Sequence, residues 1–312
     1  MTQTKSPLRP ADAPSDHWVY RVVPRAWQPW AQLARLDRPI GFWLLLAPCW
    51  WALALAHQAG GEASALLFAL FACGAVTMRA AGCIINDIAD RELDARVART
   101  AARPLASGRL SLAQALIFLA CLLGASACIV WPLPRASWWM AAAVLPLIAL
   151  SPYVKRWSFW PQAVLGLTFN WGVWLGWTAA QAPLAASALW LYAACVCWTI
   201  GYDTIYAEQD KADDARLGIK STALYFGARA PLLVGVCYAL TLGGAAAAAW
   251  LAGCGPGFWL CLPLAAAQLG WQWQQYRLGV QRRASSAHYL RLFRSNGWFA
   301  LALFCAFGLG LA

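Results

Sequence analysis

The sequence predicts an all-α polytopic membrane protein with nine transmembrane helices, and three observations carry this prediction. Apolar residues make up 61% of the 312 residues and charged residues only 12%, about half the charged share of a soluble protein. The charges leave long uncharged windows, and the Lys and Arg residues fall almost entirely into alternate connections between these windows. Disordered chains, collagen-like fibres and ordinary cytosolic enzymes do not have this composition.

The uncharged windows give the number of spans. A helix crosses a bilayer with ~20 residues, so five windows hold one span each, and the second of these extends past Arg79 to about Ile85. Two windows are too long for one span and contain a breaker near the middle, at 181–183 and at 253–257, so each predicts two spans. The runs do not alternate apolar and polar residues as barrel strands do. The windows are 39–61, 63–78, 110–134, 136–154, 157–202, 230–276 and 295–312.

The basic residues predict the orientation. Apart from Arg135, and from Arg79 near the end of the second span, every Lys and Arg lies in the N-terminal tail or in every second connection, which places these segments in the cytoplasm. Nine spans then put Ala312 on the opposite side. Residues 1–36 are predicted to form a cytoplasmic tail in which 18–36 is a candidate interfacial amphipathic segment, and 37–312 a single nine-helix domain. The N-terminal residues lack the apolar core of a cleavable signal peptide.

The net charge of +11 is explained mainly by this topology, and it also attracts the chain to anionic lipid. The expected partner is therefore the lipid bilayer and no nucleic acid. The eleven Cys lie largely within apolar windows and form no CxxC pair, so they are expected to be packing residues. The oligomeric state does not follow from the sequence.

Nine of the thirteen acidic residues lie in two short segments, 86–94 and 202–214, each at the cytoplasmic end of a predicted span. Within each segment, three or four acidic or Tyr side chains are spaced three and then four positions apart, and this spacing places them on one face of a helix. This shared pattern suggests two related halves. The first acidic cluster is Asp87, Asp90 and Asp94; the second is Asp203, Tyr206, Asp210 and Asp214.

Carboxylates packed this closely repel each other and are costly near hydrocarbon, and a divalent cation relieves both problems. No His or Cys joins the clusters, and all-oxygen sites suit Mg²⁺, Ca²⁺ or Mn²⁺. Two such clusters facing each other can hold two or three Mg²⁺ ions on a diphosphate. The predicted metal ligands are Asp87, Asp90, Asp94, Asp203, Asp210 and Asp214.

Basic residues follow each cluster and are candidates for binding phosphate oxygens, with the positive-inside rule as the alternative explanation. Arg79 lies about two helical turns before Asp87, inside the second span. We interpret it as a deep cation for an anionic substrate group, and the alternative is an Arg that snorkels near a helix end. The basic residues that follow the clusters are Arg99, Arg103 and Arg109, then Lys211, Arg216 and Lys220.

These motifs resemble the signatures of the UbiA-type intramembrane prenyltransferases. Two further segments are similar to the 4-hydroxybenzoate polyprenyltransferase branch of that family. The resemblance runs from about residue 30 to the end of the chain. The first signature consists of 86–94 and 99–108, and the second of 202–214 and 218–222. The segments similar to the branch are 35–41 and, between the fourth and fifth spans, 151–156 with 161–166.

The resemblance implies nine helices around a central cavity whose cytoplasmic mouth holds Mg²⁺ and the diphosphate of polyprenyl diphosphate. It implies transfer of the polyprenyl group to the ring carbon ortho to the hydroxyl of 4-hydroxybenzoate, a step of ubiquinone biosynthesis at a bacterial inner membrane. The catalytic residues expected from it are Asp87, Asp90, Asp203, Asp210 and Tyr206. The expected substrate-binding residues are Arg79, Asn86, Arg99, Arg103, Lys155, Arg156 and Lys220.

The acceptor side of the expected site depends on a few polar residues. Arg79 and Arg156, and after them Lys155, are the candidates for the acceptor carboxylate. Asn86 and Tyr206 are expected to orient the acceptor or a metal-bound water. The other basic residues are expected to contact the diphosphate.

Several alternatives stay open at this point. Asp203 has an alternative role in polarising the phenol of the acceptor. Within the family, the acceptor could be a naphthoate, homogentisate or a porphyrin. Outside it, acids on membrane helices also mark the ion paths of transporters and channels, although transporters usually place them near the membrane midplane.

Overall fold

The structure is a computed structural model and describes residues 17–310. In this range every regular element is a helix and there is no strand, which confirms the predicted all-α class. The predicted positions of residues 1–16 and of Ala312 lie outside the described residues. The helices are α1 (Trp18–Val22), α2 (Gln28–Leu33), α3 (Ile40–Gln58), α4 (Ala65–Ala89), α5 (Arg91–Asp94), α6 (Leu112–Val130), α7 (Arg135–Ala143), α8 (Leu145–Val154), α9 (Pro161–Phe169), α10 (Gly172–Ala179), α11 (Ala186–Ala207), α12 (Lys211–Leu217), α13 (Thr222–Phe226), α14 (Ala230–Leu251), α15 (Pro256–Arg282) and α16 (Ser286–Leu309), with a 3₁₀ turn at Gly227–Arg229.

Six helical segments of residues 17–310 are long and apolar enough to cross a membrane. The chain is therefore a multi-pass membrane protein. Two of the segments combine neighbouring helices, α7 with α8, and α13 with α14. The six are Ile40–Gln58, Ala65–Ala89, Leu112–Val130, Arg135–Val154, Thr222–Leu251 and Ser286–Leu309.

The other three predicted spans coincide with helices that are interrupted or more polar. α9 and α10 are each too short for a span, α11 contains Asp203 together with Trp, Tyr and Thr, and α15 carries five Gln. The breaker at 181–183 lies between α10 and α11. The one at 253–257 covers the end of the connection after α14 and the first two residues of α15, so a helix boundary occurs at both predicted places. The count of nine spans stays a prediction.

The interruption between α9 and α10 is stabilised by a buried amide. Nδ2 of Asn170 donates to the carbonyl oxygen of Gly166 at 2.7 Å and to Oγ1 of Thr199 at 2.8 Å. The same carbonyl oxygen also accepts the backbone amide of Asn170 at 3.2 Å, so the contribution of the side chain is to tie the end of α9 to Thr199 in α11. The break between α7 and α8 comes just before Pro146, which has no N–H for a helical hydrogen bond.

The chain divides into two compact units, which are described separately. The first consists of the described residues up to Phe42 together with Cys73–Trp131, and the second of Trp43–Ala72 together with the described residues from Pro132 onward. The core of the first unit contains Leu33 from α2, Ile84 from α4 and Ala115 from α6, each fully buried. These apolar contacts hold the C-terminal end of α4, where the first acidic cluster begins.

In the second unit, α11 packs along α14 and α15 packs along α16. Small residues permit the close approach of α11 and α14, as is usual for membrane helices. A side chain at Gly201 would overlap the ring of Tyr238, and one at Gly244 would lie 2.9 Å from Cβ of Ala194. This packing fixes α11, which carries the start of the second acidic cluster.

Candidate active site

The first acidic cluster lies on the C-terminal end of α4 and on α5. Asp87 belongs to α4, Asp90 joins the two helices, and Asp94 ends α5. The amide of Asp90 donates to the carbonyl oxygen of Asn86 at 2.9 Å, and that of Asp94 to Asp90 at 2.8 Å. The predicted continuous helix is therefore interrupted at Asp90, while helix-type hydrogen bonds continue through the junction. All three aspartates are buried.

Two arginines neutralise carboxylates of this cluster. Nη2 of Arg35 lies 2.5 Å from Oδ1 of Asp87. Nη1 of Arg103 lies 3.2 Å from the same oxygen and 2.7 Å from Oδ2 of Asp94. The side chains of Arg35 and Arg103 are only 9% and 12% exposed, so these ion pairs are buried. Burial raises the pKa of Asp94 above its usual range; Arg103 opposes this rise, while Asp87 and Asp90 reinforce it.

Arg35 is a site residue that none of the predicted ligand or substrate-binding sets contains. It is 52 positions from Asp87 along the chain, so no spacing rule connects the two. Its backbone has a φ of 58°, in the left-handed region, and Nη1 donates to the carbonyl oxygen of Gln32 at 3.0 Å. The only signal in the sequence was the position of Arg35 in the segment 35–41, which carries part of the family resemblance.

Arg79 lies in α4, and its Nε is buried. The guanidinium packs against the start of α3, where a Cβ added to Gly41 would lie 2.7 Å from Nη2 and 2.9 Å from Cζ. The predicted deep cation therefore belongs to the first unit, as do Asn86 and Arg99, which are both half-buried.

The second acidic cluster lies on the end of α11 and on α12. Asp203 and Tyr206 belong to α11, Asp210 directly precedes α12, and Asp214 lies within it. All four side chains are half-buried, so this cluster is more exposed than the first. The ring of Tyr206 packs against that of Phe293, with 4.6 Å between centroids. The predicted helical face is again interrupted, here between α11 and α12.

Glu208, which no prediction used, lies at this second interruption. It is the residue that follows α11, and its Oε1 accepts hydrogen bonds from the hydroxyl of Tyr276 at 3.0 Å and from Nζ of Lys211 at 3.1 Å. The Glu208 side chain is only 7% exposed. These contacts tie the junction of α11 and α12 to α15, and they thereby hold the two halves of the second cluster in place.

Replacing Tyr276 by Phe is expected to lower the free energy of unfolding by about 1.5 kcal/mol, because a hydrogen bond to a charged group is lost. Lys211 continues to pair with Glu208, which keeps the loss at the lower end of the range for a hydrogen bond to a charged group. Thermal unfolding of the purified protein in detergent measures the effect. Tyr225→Phe is the matched control, since Tyr225 is 61% exposed; an equal loss in both variants would contradict the assigned contact.

The structure also brings together predicted binding residues that are distant in sequence. The amide of Lys220 donates to the carbonyl oxygen of Lys155 at 2.8 Å, and its Nζ donates to that of Trp157 at 3.1 Å. The guanidinium of Arg156 lies 4.9 Å from the ring centroid of Tyr153. The segment after the second cluster, with Lys220, is therefore tied to the loop that carries Lys155 and Arg156, and all three predicted substrate-binding residues belong to the second unit.

Among residues 17–310, no three His, Cys, Asp or Glu side chains are arranged so that they could together hold a metal ion. Asp87 and Asp94 instead form ion pairs with Arg35 and Arg103. Oδ2 of Asp87 is buried and accepts no hydrogen bond from the described residues. A buried carboxylate oxygen in this state, in a cluster with only oxygen donors, fits a hard cation such as Mg²⁺.

The fold resembles solved structures of one family. The apo structure of a UbiA homolog from Aeropyrum pernix K1 superposes with a TM-score of 0.72, covering 86% of this chain and 96% of that one at 24% identity. The structure of a UbiA homolog from Archaeoglobus fulgidus bound to GPP and Mg²⁺ gives a TM-score of 0.67, with 90% and 98% covered at 18% identity. These similarities establish the fold.

Sequence comparison is more specific. Residues 45–310 match the model of the UbiA prenyltransferase family. A mitochondrial protein of Arabidopsis thaliana named 4-hydroxybenzoate polyprenyltransferase is 44% identical over 94% of this chain and 71% of its own length. A 4-hydroxybenzoate octaprenyltransferase of Pseudomonas aeruginosa is 42% identical over 91% of this chain and 93% of its own. The chain therefore belongs to the UbiA prenyltransferase family, in the branch of the 4-hydroxybenzoate polyprenyltransferases.

Proposed function

We propose that the chain transfers a polyprenyl group from polyprenyl diphosphate to the ring carbon ortho to the hydroxyl of 4-hydroxybenzoate, with release of diphosphate, as a step of ubiquinone biosynthesis. The observation that carries this proposal is the 42% identity to the Pseudomonas aeruginosa octaprenyltransferase, which extends over 91% of this chain and 93% of that one. Similarity over nearly the whole of both chains includes both signatures and the segments that connect them.

The proposed cofactor is Mg²⁺, held in each acidic cluster by the aspartates of that cluster. The oxygen-only donor sets and the buried Oδ2 of Asp87 support this choice. Bound Mg²⁺ would neutralise charge on the leaving diphosphate. The proposed ligands are Asp87, Asp90 and Asp94 in the first cluster and Asp203, Asp210 and Asp214 in the second.

Basic residues of the chain hold the two anionic substrates. Arg99, Arg103 and Lys220 donate hydrogen bonds to the diphosphate, and charge-assisted bonds of this kind are the strong ones. Arg79 and Arg156 are proposed to bind the acceptor carboxylate, with Lys155, the neighbour of Arg156, as the second candidate in that loop. Orientation of the acceptor ring falls to Asn86 and Tyr206.

The reaction breaks one C–O bond and makes one C–C bond. The electron pair of the broken bond leaves with the diphosphate, and the prenyl carbon becomes an allylic cation. The ring carbon ortho to the phenol oxygen attacks this cation, and loss of the proton from that carbon restores aromaticity. Water would convert the cation into a prenyl alcohol, and the apolar surroundings of the spans exclude it.

We also propose nine spans in a bacterial inner membrane, with the N-terminus and the active-site mouth on the cytoplasmic side. The one-sided distribution of Lys and Arg supports this orientation. Residues 1–36 are proposed as the tail and 37–312 as the single prenyltransferase domain. Within the tail, Trp18 and Val22 of α1 are 51% and 74% exposed, which suits an interfacial segment.

Removing divalent cations tests the proposal. Membranes containing the protein are incubated with labelled 4-hydroxybenzoate and a polyprenyl diphosphate, and the lipid-soluble label is measured. We expect label transfer with Mg²⁺, its loss with EDTA, and its return when Mg²⁺ exceeds the chelator. Labelled naphthoate and labelled homogentisate are each tested in place of 4-hydroxybenzoate. Transfer to one of these, with none to 4-hydroxybenzoate, would contradict the proposed acceptor.

A further inference from the structure

We propose that Gly41 is a positioning residue for Arg79. Because Gly41 has no side chain, it leaves the space in which the Arg79 guanidinium lies, and this space sets where that guanidinium can meet the acceptor carboxylate. The inference rests on the proposed function, since it takes the assignment of Arg79 to the acceptor from there.

The geometry is specific to the charged end of the side chain. Gly41 is buried in the first turn of α3, and Arg79 projects from α4 within the same compact unit. A Cβ at position 41 would overlap Nε of Arg79 and would lie 2.7 Å from Nη2 and 2.9 Å from Cζ. Such separations are shorter than van der Waals contact, so the guanidinium and a side chain at position 41 exclude each other.

Backbone conformation does not explain this glycine. Gly41 is not among the described glycines with positive φ, and it lies within a helix, where Ala is more favourable than Gly by ~1 kcal/mol. Local preference therefore favours a side chain at this position. The contribution that only glycine makes here is the space next to Arg79.

The expected consequence is a displaced charge and an intact fold. The overlapping atoms are at the far end of a flexible side chain, so the guanidinium can move without a shift of either helix. A guanidinium binds a carboxylate through two parallel hydrogen bonds of fixed geometry, and displacement by about 1 Å disrupts such a pair. Binding of a carboxylate-bearing acceptor is therefore the property that a side chain at position 41 impairs.

The test compares Gly41→Ala with Gly82→Ala in the full-length protein. Gly82 lies in α4 with Arg79, but a Cβ there meets no atom within 4 Å. For Gly41→Ala we expect the KM for 4-hydroxybenzoate to rise about tenfold, the order expected for loss of a hydrogen bond to a charged group. The KM for polyprenyl diphosphate should stay unchanged, as should the inhibition constant of methyl 4-hydroxybenzoate, an ester without the carboxylate. Gly82→Ala should change none of the three.

A double-mutant cycle with Arg79→Ala isolates the contact. In the Arg79→Ala background, Gly41→Ala should leave the KM for 4-hydroxybenzoate unchanged, because the overlapping atoms are gone. It should raise the thermal unfolding temperature there, since Ala is the better helix former, whereas with Arg79 present the overlap offsets this gain. The proposal is overturned if Gly41→Ala leaves the KM for 4-hydroxybenzoate unchanged, if it weakens the ester equally, or if it lowers the unfolding temperature in both backgrounds. A wild-type protein that prenylates no 4-hydroxybenzoate refutes the proposed function instead, and the unfolding arm of the cycle still tests the contact.

Discussion

Replacing Asp87 or Asp210 by Asn is expected to abolish prenyl transfer, with kcat reduced by about a thousandfold or more. Each substitution would remove one metal ligand from its own acidic cluster. Metal ions contribute several kcal/mol of charge stabilisation in the transition state, and each 1.36 kcal/mol changes the rate by a factor of ten. Insertion into the membrane should be unaffected, because Asp87→Asn removes a charge from the end of the Ala65–Ala89 span and Asp210 lies outside the spans. Asp87→Asn also leaves Arg35 and Arg103 without that carboxylate, so thermal unfolding must show that this variant is folded under the assay conditions. Product formation at saturating Mg²⁺ and both substrates measures the effect.

Nearby acids provide matched controls. Glu92 is an exposed neighbour of the first cluster, and Asp213 in α12 is 43% exposed in a surface pair with Arg216. Glu92→Gln and Asp213→Asn remove the same charge from the same segments and should keep near-normal activity. If Asp87→Asn or Asp210→Asn also kept near-normal activity, the metal assignment of that cluster would fail.

Replacing Arg35 by Gln is expected to destabilise the protein by about 3 kcal/mol, since loss of one partner leaves a buried charge uncompensated. Arg103 remains 3.2 Å from Asp87 and limits the loss to this value. Unfolding in detergent, followed by tryptophan fluorescence, gives the change in stability. Added Mg²⁺ should stabilise the variant more than the wild type, because in the variant Arg35 no longer neutralises the Asp87 carboxylate.

Arg25→Gln serves as the control for charge removal, because Arg25 lies in the same N-terminal segment but is exposed. This substitution should change stability by no more than about 0.5 kcal/mol. Equal stability of the Arg35→Gln variant and the wild type would show that the buried pair with Asp87 contributes nothing to the fold.

Composition and charge distribution were sufficient to predict the helical membrane architecture, because hydrocarbon permits few solutions for a chain with long uncharged windows. The breakers at 181–183 and 253–257 could also be predicted from the sequence, because they combine helix-breaking residues in otherwise apolar runs. The break at Asn170 could not be predicted. A single Asn in an apolar window is equally compatible with a continuous span, and only the structure shows that α9 ends at this residue.

The site shows the same limit. The spacing of the acidic residues depends on local helical geometry, so both clusters could be identified from the sequence. The partners of these acids depend on packing between helices far apart in the chain. The pair of Arg35 with Asp87 and that of Glu208 with Tyr276 join residues 52 and 68 positions apart, and no periodicity in the sequence reports such contacts.

The left-handed backbone at Arg35 narrows the amino acids that evolution or design could place there. Glycine and asparagine adopt this conformation most readily, yet neither supplies a cation for the neighbouring carboxylate. Position 35 therefore sets two requirements that conflict, and a library covering all twenty amino acids at this codon should return arginine, with lysine as the sole substitute that retains the charge.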